Sequence, residues 1–506
     1  MEITRRGFGQ GLLGAAAQRA GRRRPPNIFF ICSDSHNGKV LGRYGYPGAH
    51  TPNLDRLAAQ GVTFRNAYCG SPVCVPSRAS MMTGMFPSDV DSYCNSTPFD
   101  GRAPTWGNRL LDKGYFCRAA GKLDFAEGKD YGFEEVQTSH LHSSAPDITS
   151  LFRRPLCYRV DKRRQIRGEF KVRTRGDDEV VNQTLRYLRQ DLGRVAKPWA
   201  LYVGLVLPHP PFVAAEKYRN LNSIQDIHLP DIPPGYLDRM HVGFRLMRNF
   251  YLITDRIPEE DVRTARAAYF ALVKELDDYV GRMLNAVEEE SGAPEDTLIV
   301  YTSDHGEMLG EHGLWFKNVL LEDAARVPLI LAGAGLPRGK TIDVPVTHAD
   351  LVATLLDIAG IPGPAGMRGH SLLPLIRGTQ GDHPGYAYSE SHSEGNCTGS
   401  FLIRKGDWKY IYFSWHDPLL FNLKADPGEL NNLAGKPEVS GIQAQLHSIL
   451  TSLVRPDAIT ESAFQRQENI LKEMAAKQGR EGLYRDLVSR MGEGQARALA
   501  SKYAAR

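Results

Sequence analysis

The stretch NIFFICSDSHNG, residues 27–38, decides the fold class of this chain. Its first six residues carry no charge and are mostly aromatic or β-branched, and the run stops at the polar turn SDSHNG. A short continuous apolar run of this kind is typical of a strand that is buried on both faces of a parallel sheet. Asp34 follows this strand directly, at the end where open α/β sheets bind their ligands.

Predicted strands and helices alternate through most of the chain that follows. Buried strands are predicted at residues 199–207, within KPWALYVGLVLPHPPF, and at residues 297–303, within TLIVYTSDHGE. The patterns at residues 51–61 and 260–289 predict a short and a long amphipathic helix. This alternation predicts an α/β domain with a large, mostly parallel central sheet flanked by helices.

The pattern changes from about Tyr386. GSFLIRKGDWKYIYF predicts a β-hairpin that turns at Lys-Gly-Asp, and the sequence is polar and helix-prone from residue 457 onward. We therefore predict a main domain at residues 26–380, a small antiparallel-sheet subdomain at 381–456 and a helical tail at 457–506.

The composition excludes several classes of protein. The chain of 506 residues has a net charge of +4, which indicates neither nucleic-acid binding nor a membrane-surface protein. No apolar run is long enough to predict stable membrane insertion. The seven cysteines are irregularly spaced and contain no CxxC pair, so a disulfide framework is not expected.

The first 25 residues and a basic stretch each allow two interpretations. Arg5 and Arg6, followed by Phe8 and a weakly apolar stretch, resemble a twin-arginine export signal, which predicts a periplasmic or secreted protein; the alternative is a disordered basic tail. Residues 151–176 form either a solvated loop face or a rim that attracts a polyanionic substrate. The basic residues of this stretch are Arg153, Arg154, Arg159, Lys162, Arg163, Arg164, Arg167, Lys171, Arg173 and Arg175.

Acidic, basic and imidazole side chains follow several of the predicted strands. Asp34 and the pair Asp304-His305 are a donor set that can hold a divalent cation, although an Asp at the end of a strand is commonly a cap or turn residue. Cationic or proton-donating groups come from Lys122, His209 and Lys317, each of which alone would be a surface or structural residue. Together with Arg78 they describe a site for a tetrahedral oxyanion.

Residues 74–84 read CVPSRASMMTG and resemble the signature of the sulfatase family, Cys-x-Pro-Ser-Arg followed by Thr-Gly. The resemblance implies that a formylglycine-generating enzyme oxidises Cys74 to Cα-formylglycine. It also implies that the hydrated aldehyde attacks sulfur through one hydroxyl and expels sulfate through the other, which divides the reaction into two easier steps.

The resemblance continues through residues 26–435, in the segments PNIFFICSDS, GKLDF, LPHPPF, YTSDHGEMLGEHGLWFKN and ARVPLILAGAG. It implies an alkaline-phosphatase-like sandwich with one metal ion. The implied metal ligands are Asp34, Asp304, His305 and the matured Cys74. The resemblance also implies that Arg78 supports the nucleophile, that Lys122, His209 and Lys317 bind sulfate, and that His209 or Lys317 protonates the leaving oxygen.

Two residues depart from the common family pattern. Ser35 stands where many sulfatases have a second acid, and Asp124 stands where many have a histidine. The first change lowers the negative charge around the metal, for which we predict calcium and regard manganese or magnesium as compatible. The second makes Asp124 a candidate base for the formylglycine proton.

Within the family, the SDS, GKLD and VGLVLPHP segments look most like the arylsulfatase K branch and its bacterial relatives. This likeness implies a sulfated sugar such as a 2-O-sulfo-uronate as substrate, and small aryl sulfates are also expected. The segments GLWFK and ARVPLI are similar to choline sulfatase, the second interpretation. The third is a phosphonate or phosphodiester hydrolase with the same nucleophile, and the fourth is an unmatured sulfoglycan-binding protein.

Overall fold

The fold is described from a computed structural model of the chain. The structure describes residues 25–137, 142–143, 148–154, 156–172, 177–192, 195–290 and 296–504. The predicted export signal, apart from residue 25, therefore lies outside the described residues, and so do Arg173 and Arg175 of the basic stretch. No helix in these ranges combines the length and the apolar character needed to cross a bilayer.

The strands alternate with helices over most of the chain, as the sequence predicted. The strands are β1 (Asn27–Ser33), β2 (Gly61–Phe64), β3 (Ala67–Tyr68), β4 (Phe116–Gly121), β5 (Phe125–Ala126), β6 (Glu134–Gln137), β7 (His142–Ser143), β8 (Glu169–Lys171), β9 (Trp199–Gly204), β10 (Val213–Ala215), β11 (Thr297–Ser303), β12 (Arg326–Val327), β13 (Leu329–Gly333), β14 (Lys340–Ile342), β15 (Val346–Thr347), β16 (Tyr386–Ser391), β17 (Ser400–Lys405), β18 (Trp408–Phe413) and β19 (His416–Asn422). The helices are α1 (Pro52–Ala59), α2 (Cys74–Thr83), α3 (Trp106–Asp112), α4 (Asp178–Gln190), α5 (Tyr236–Arg239), α6 (Val242–Phe250), α7 (Glu259–Glu290), α8 (Glu322–Ala325), α9 (His348–Ile358), α10 (Leu373–Arg377), α11 (Ser440–Leu453), α12 (Pro456–Met491) and α13 (Glu493–Ala504).

The central sheet has eight strands in the order β14-β2-β13-β11-β1-β9-β4-β6. Every neighbouring pair is parallel except the two that involve β13. The prediction of a mostly parallel central sheet is thus confirmed. Strand β9 ends at Gly204, earlier than the predicted residue 207, because the backbone amides of Val206 and Leu207 donate to the carboxylate of Asp177 instead of to a strand.

Strand β1 lies in the middle of this sheet and contributes to a hydrophobic core on each face. Phe29 and Ile31 join one core, to which α1, α4 and α7 contribute, whereas Ile28 and Phe30 join the other, built with α2, α3 and α9. The side chains alternate because successive residues of a strand point to opposite faces of the sheet. This arrangement is the helix–sheet–helix sandwich that the sequence predicted.

Four adjacent parallel strands, β11, β1, β9 and β4, end at the same edge of the sheet. Two glycines let β9 and β4 approach closely there. A Cβ on Gly204 would lie 2.0 Å from the carbonyl oxygen of Lys122, and Gly121 has a φ of +79°. The glycine before Lys122 is therefore required by the packing of the two strands.

The C-terminal part contains a four-stranded antiparallel sheet in the order β16-β17-β18-β19. The predicted hairpin is β17–β18, which turns at Gly406 and Asp407. Helix α11 packs on this sheet through Leu446 and Leu450. On its other side Lys409 is fully buried and forms ion pairs with Glu322 of the main domain, at 3.0 Å, and with Glu429, at 2.7 Å.

The helical tail, α12 and α13, packs against residues from the first half of the basic stretch. Leu471 and Leu483 of the tail share a hydrophobic cluster with Leu151 and Phe152. The backbone amide of Arg153 donates to Gln467 Oε1 at 3.0 Å. The tail therefore fixes the position of the chain that follows Arg153.

We expect Lys409→Met to destabilise the protein by about 3–5 kcal/mol, because it leaves two buried carboxylates without their cation. Thermal or urea unfolding measures the change. Lys424→Met removes an exposed lysine nearby and should change stability by less than about 0.5 kcal/mol. Equal stability of the two variants would show that the buried cluster does not hold the subdomain in place.

Candidate active site

Cys74 occupies the first position of helix α2, beside the edge where the four parallel strands end. The helix is buried along its whole length, and Cys74 itself is only 3 % exposed. Its Sγ lies 2.7 Å from Lys317 Nζ, 3.3 Å from His305 Nε2 and 3.6 Å from Asp34 Oδ2. The helix thus delivers the side chain of Cys74 into a pocket of charged groups.

Asp34, Cys74, Asp304 and His305 form a buried cluster of potential metal ligands. One donor atom from each lies within 4.8 Å of the others. His305 Nδ1 lies 2.8 Å from the carbonyl oxygen of Gly306, a contact that holds the proton on Nδ1 and leaves Nε2 free to act as a ligand. Two carboxylates with one imidazole suit a divalent cation.

The guanidinium of Arg78 joins this cluster to three strand ends. Its Nε donates to Asp304 Oδ2 at 2.9 Å, and Nη1 donates to the carbonyl oxygen of Lys122 at 2.8 Å and to the hydroxyl of Tyr202 at 2.9 Å. Arg78 is fully buried, and its Nη2 has no hydrogen-bond partner among the described residues. Nη2 lies 3.7 Å from Asp34 Oδ2, so the cation also faces this carboxylate.

Lys122 and Asp124 complete the site from the end of β4. Lys122 Nζ lies 2.5 Å from Asp34 Oδ2 and 3.1 Å from Asp124 Oδ2. Asp124 holds a φ of +61°, a left-handed conformation that few residues other than glycine adopt. This backbone turn brings Asp124 back toward Lys122 and Arg78.

Burial and charge oppose each other at Asp34 and Cys74. Burial alone would raise the pKa of Asp34, but the surrounding cations, Lys122 first among them, hold this pKa well below its usual range. Burial and the Asp34 charge raise the pKa of Cys74, yet Lys122, Lys317 and His305 together bring it down to about 7. The pocket therefore stabilises negative charge at the position of the Cys74 side chain.

His209 lies near Asp34, Lys122 and Lys317, but its side chain contacts the neighbouring residue, Pro210. Its Nδ1 is 2.5 Å from the carbonyl oxygen of Pro210. Burial is the main cause that lowers its pKa to about 3, and the charges of Lys317, Lys122 and Lys162 lower it further against the opposing charge of Asp34. His209 is therefore neutral, with the ring proton on Nδ1.

The site residues predicted from the sequence fall into two layers. Five are buried and form the floor of the site: Asp34, Cys74, Arg78, Asp304 and His305. Four are half-buried and form the rim: Lys122, Asp124, His209 and Lys317. The floor would hold a metal ion and a nucleophile, while the rim supplies three nitrogen groups and one carboxylate at the opening.

Three further residues support the floor and were not singled out from the sequence. The Tyr202 hydroxyl accepts from Arg78, the Ser77 hydroxyl donates to the carbonyl oxygen of Asp304, and His348 lies 3.4 Å from that hydroxyl. Tyr202 lies inside an apolar strand and His348 begins helix α9, so neither belongs to a recognisable motif. Ser77 belongs to the CVPSR motif and was the one residue that the sequence could have indicated.

Residues 26–361 match the family model described as Sulfatase. The chain belongs to the sulfatase family. Residues 310–455 also match the model for the C-terminal part of N-sulphoglucosamine sulphohydrolase. The resemblance drawn from the CVPSRASMMTG motif is therefore confirmed at the level of the family, and the protein is a sulfuric ester hydrolase.

Curated sulfatases align over most of this sulfatase. It is 35 % identical to the choline-sulfatase of Rhizobium meliloti over 442 residues, which cover 83 % of this chain and 85 % of the relative. It is 30 % identical to the arylsulfatase K of Homo sapiens over 466 residues, which cover 86 % of this chain and 84 % of the relative. Both branches indicated by the sequence are thus represented among the similar proteins.

Solved structures share the fold. A phosphonate monoester hydrolase of Agrobacterium radiobacter has a TM-score of 0.69 and 25 % identity, covering 85 % of this chain and 95 % of the hydrolase. A 2-O GAG sulfatase has a TM-score of 0.68 and 25 % identity, covering 85 % of this chain and 92 % of that protein. These similarities support the predicted α/β sandwich.

We expect the native protein to bind a divalent cation, and Asp304→Asn and His305→Ala to lose it, because each removes one of the clustered donors. Metal per chain is measured by elemental mass spectrometry after dialysis. The matched control is Asp226→Asn, which changes an exposed carboxylate and should retain the metal. Metal retained by both site variants, in folded protein, would contradict the assignment.

Proposed function

We propose that this sulfatase hydrolyses the sulfate ester of a sulfated sugar, such as a 2-O-sulfo-uronate, with Cα-formylglycine made from Cys74 as the nucleophile. The observation that carries the proposal is the position of Cys74. Its Sγ stands in for the reactive atoms of formylglycine, and it contacts both a potential metal ligand, His305, and the Lys317 ammonium.

The residues present fit both groups that the family implies. Asp34, Asp304 and His305 would hold the cation, and Nη2 of Arg78, which lacks a hydrogen-bond partner among the described residues, faces the same centre. Formylglycine would supply two hydroxyls on one carbon, and the divalent cation would supply a Lewis acid for the sulfate oxygens. A set of two carboxylates and one imidazole supports calcium, with manganese or magnesium also compatible.

The chain's own cations would position the sulfate group. Lys122 and Lys317 approach from the rim, and both lie close to the side chain that would carry the nucleophile. Donors fixed in this way stabilise charge that develops on the sulfate oxygens without having to reorganise. Asp124, held 3.1 Å from Lys122, is the carboxylate that we assign to the formylglycine proton.

Lys317 is the better candidate for protonating the leaving oxygen. His209, with its proton on Nδ1 and that nitrogen 2.5 Å from the carbonyl oxygen of Pro210, has no proton on Nε2 to give. The Lys317 ammonium carries protons and already points at Cys74 Sγ from 2.7 Å. We therefore assign general-acid catalysis to Lys317, while His209 Nε2 would accept a hydrogen bond from a hydroxyl of the substrate.

Hydrolysis of choline sulfate would depend on recognition of a quaternary ammonium. Such a cation binds over an aromatic face. Phe316, which precedes Lys317, has the Lys162 ammonium 5.1 Å from its ring centre. Because the Phe316 face already holds a cation, this part of the site favours an anionic sugar over choline.

Phosphonate hydrolysis and binding without catalysis have less support. A phosphonate monoester hydrolase shares the fold, which supports hydrolysis of phosphonates by this protein. We propose it only as a minor activity. A binding protein in which Cys74 stays a thiol would not require the complete set of cations around it.

We also propose periplasmic or secreted localisation, supported by Arg5-Arg6 in the N-terminal sequence.

We expect mass spectrometry to find Cys74 converted when the protein is co-expressed with a formylglycine-generating enzyme. Conversion replaces one sulfur and two hydrogens by one oxygen and therefore lowers the mass. The tryptic peptide of residues 66–78 also contains Cys69, which provides an internal control. Cys74→Ala should abolish the change and Cys69→Ala should keep it; an intact thiol at Cys74 would favour the unmatured binding protein.

We expect kcat/KM for a 2-O-sulfo-uronate glycoside to exceed that for choline sulfate by about tenfold or more, since a cation near Lys162 would be repelled. A phosphonate monoester should be slower still. Initial rates on the three substrates measure this order, with Cys74→Ala as the inactive control. Faster hydrolysis of choline sulfate would overturn the proposed substrate but not the nucleophile.

A further inference from the structure

Lys162 lies beside the rim but does not belong to the sulfate-binding group. It is half-buried and directly precedes a short 3-10 helix within the basic stretch. Its ammonium lies over the ring of Phe316, the residue before Lys317. Lys317 Nζ reaches Cys74 Sγ, whereas Lys162 makes no contact with Cys74 among the described residues.

The ring beneath Lys162 is held rigidly. Phe316 stacks on Phe212 with an interplanar angle of 6°, and Tyr251 packs edge-on against it at 5.2 Å. The Phe316 backbone amide donates to Glu307 at 2.6 Å. The cation therefore rests on a fixed, buried ring, and the next residue, Lys317, reaches Cys74 in the active site.

The charges around Lys162 leave its ammonium without a close anion. Arg159 engages the nearest carboxylates, lying 2.9 Å from Asp161 and 3.1 Å from Glu394. In the described part of the chain Lys162 forms no ion pair, and its one side-chain hydrogen bond is a long contact of 3.5 Å to Gln165. An ammonium has three donors, so most of its hydrogen-bonding capacity remains for water or a ligand.

Burial lowers the pKa of Lys162, and the charges of Arg159 and Lys317 lower it further against the opposing charge of Glu394. Lys162 lies over Phe316, the residue before Lys317, so the two cations belong to the same part of the site. A substrate that covered Lys162 with an uncharged group would remove water from this cation without replacing its hydrogen bonds, which is costly. A substrate with an anion at this position would satisfy both cations.

We propose that Lys162, positioned by the Phe316 ring, is a second anion subsite, which binds a carboxylate or second sulfate on the sugar whose sulfate ester lies between Lys317 and Cys74. In a 2-O-sulfo-uronate the carboxylate is attached across the ring from the carbon that bears the sulfate. The sugar ring would then bridge Lys317 and Lys162, and the buried Phe316 ring would hold the Lys162 ammonium in place. This inference rests on the proposed function and names the residue that selects the substrate class.

The test measures sulfate released from three glycosides that carry a 2-O-sulfate: the uronate, the neutral hexose that lacks the carboxylate, and the hexose with a second sulfate at carbon 6. We expect the native protein to prefer each dianionic substrate over the neutral hexose by about tenfold or more in kcat/KM. Lys162→Ala should remove this preference mainly through KM, and Lys162→Arg should keep part of it.

Arg164→Ala is the matched control, because Arg164 is an exposed cation two residues away. It should retain the preference, which separates a local subsite from the overall charge of the basic stretch.

If Lys162→Ala lowered the rates on all three substrates equally, or left the preference intact, the subsite would be excluded while the proposed function stood. If the native protein cleaved only choline sulfate, both would be overturned. Preference for one dianion alone would identify the anion that the subsite takes.

Discussion

The buried guanidinium of Arg78 is the interaction on which the rest of the active site depends. It leaves helix α2 one turn after Cys74 and bonds to the end of β11 through Asp304, to the end of β4 through the Lys122 carbonyl, and to β9 through Tyr202. The fixed fork of five N–H donors makes this possible, and a lysine could not reproduce it. Because the cation also faces Asp34, it offsets the repulsion between two carboxylates that lie close together away from water. Helix α2 and the edge of the sheet that carries the candidate metal ligands are thus held in one geometry by a single side chain.

Much of this site could be predicted from the sequence because its residues follow adjacent strands. The apolar runs before Asp34 and Asp304 identified buried parallel strands, and the polar residues after them marked a common edge. β1 does pair with β11 and β9, so these residues meet. Cys74 and Arg78 depended on a motif instead, since a helix begun by Cys-Val-Pro-Ser has no apolar periodicity that reveals its place. The structure shows that these residues lie close together, and their catalytic roles are proposed from that arrangement.

The remaining features are tertiary and left little trace in the sequence. Strand β13 runs antiparallel, because the chain between β11 and β13 forms the site loop and the single-turn helix α8 and not a crossover that would return it parallel. The basic stretch was visible as charge, but nothing in it distinguished Lys162 from its neighbours. That distinction arises because Phe316 is distant in sequence and lies beneath Lys162. Likewise, the tail was predicted as helical, but its packing on Leu151 and Phe152 depends on contacts across more than half the chain.

The burial of Cys74 also constrains the order of events during synthesis. The groups that cover its sulfur come much later in the chain, His305 by 231 positions and Lys317 by 243. At roughly 5–20 residues per second, this separation corresponds to about 10–50 s between the appearance of the cysteine and of the residues that enclose it. A modifying enzyme needs access to a side chain that is only 3 % exposed once folding is complete. The proposed conversion of Cys74 would therefore have to take place on the nascent or unfolded chain, before the sheet edge closes over the side chain.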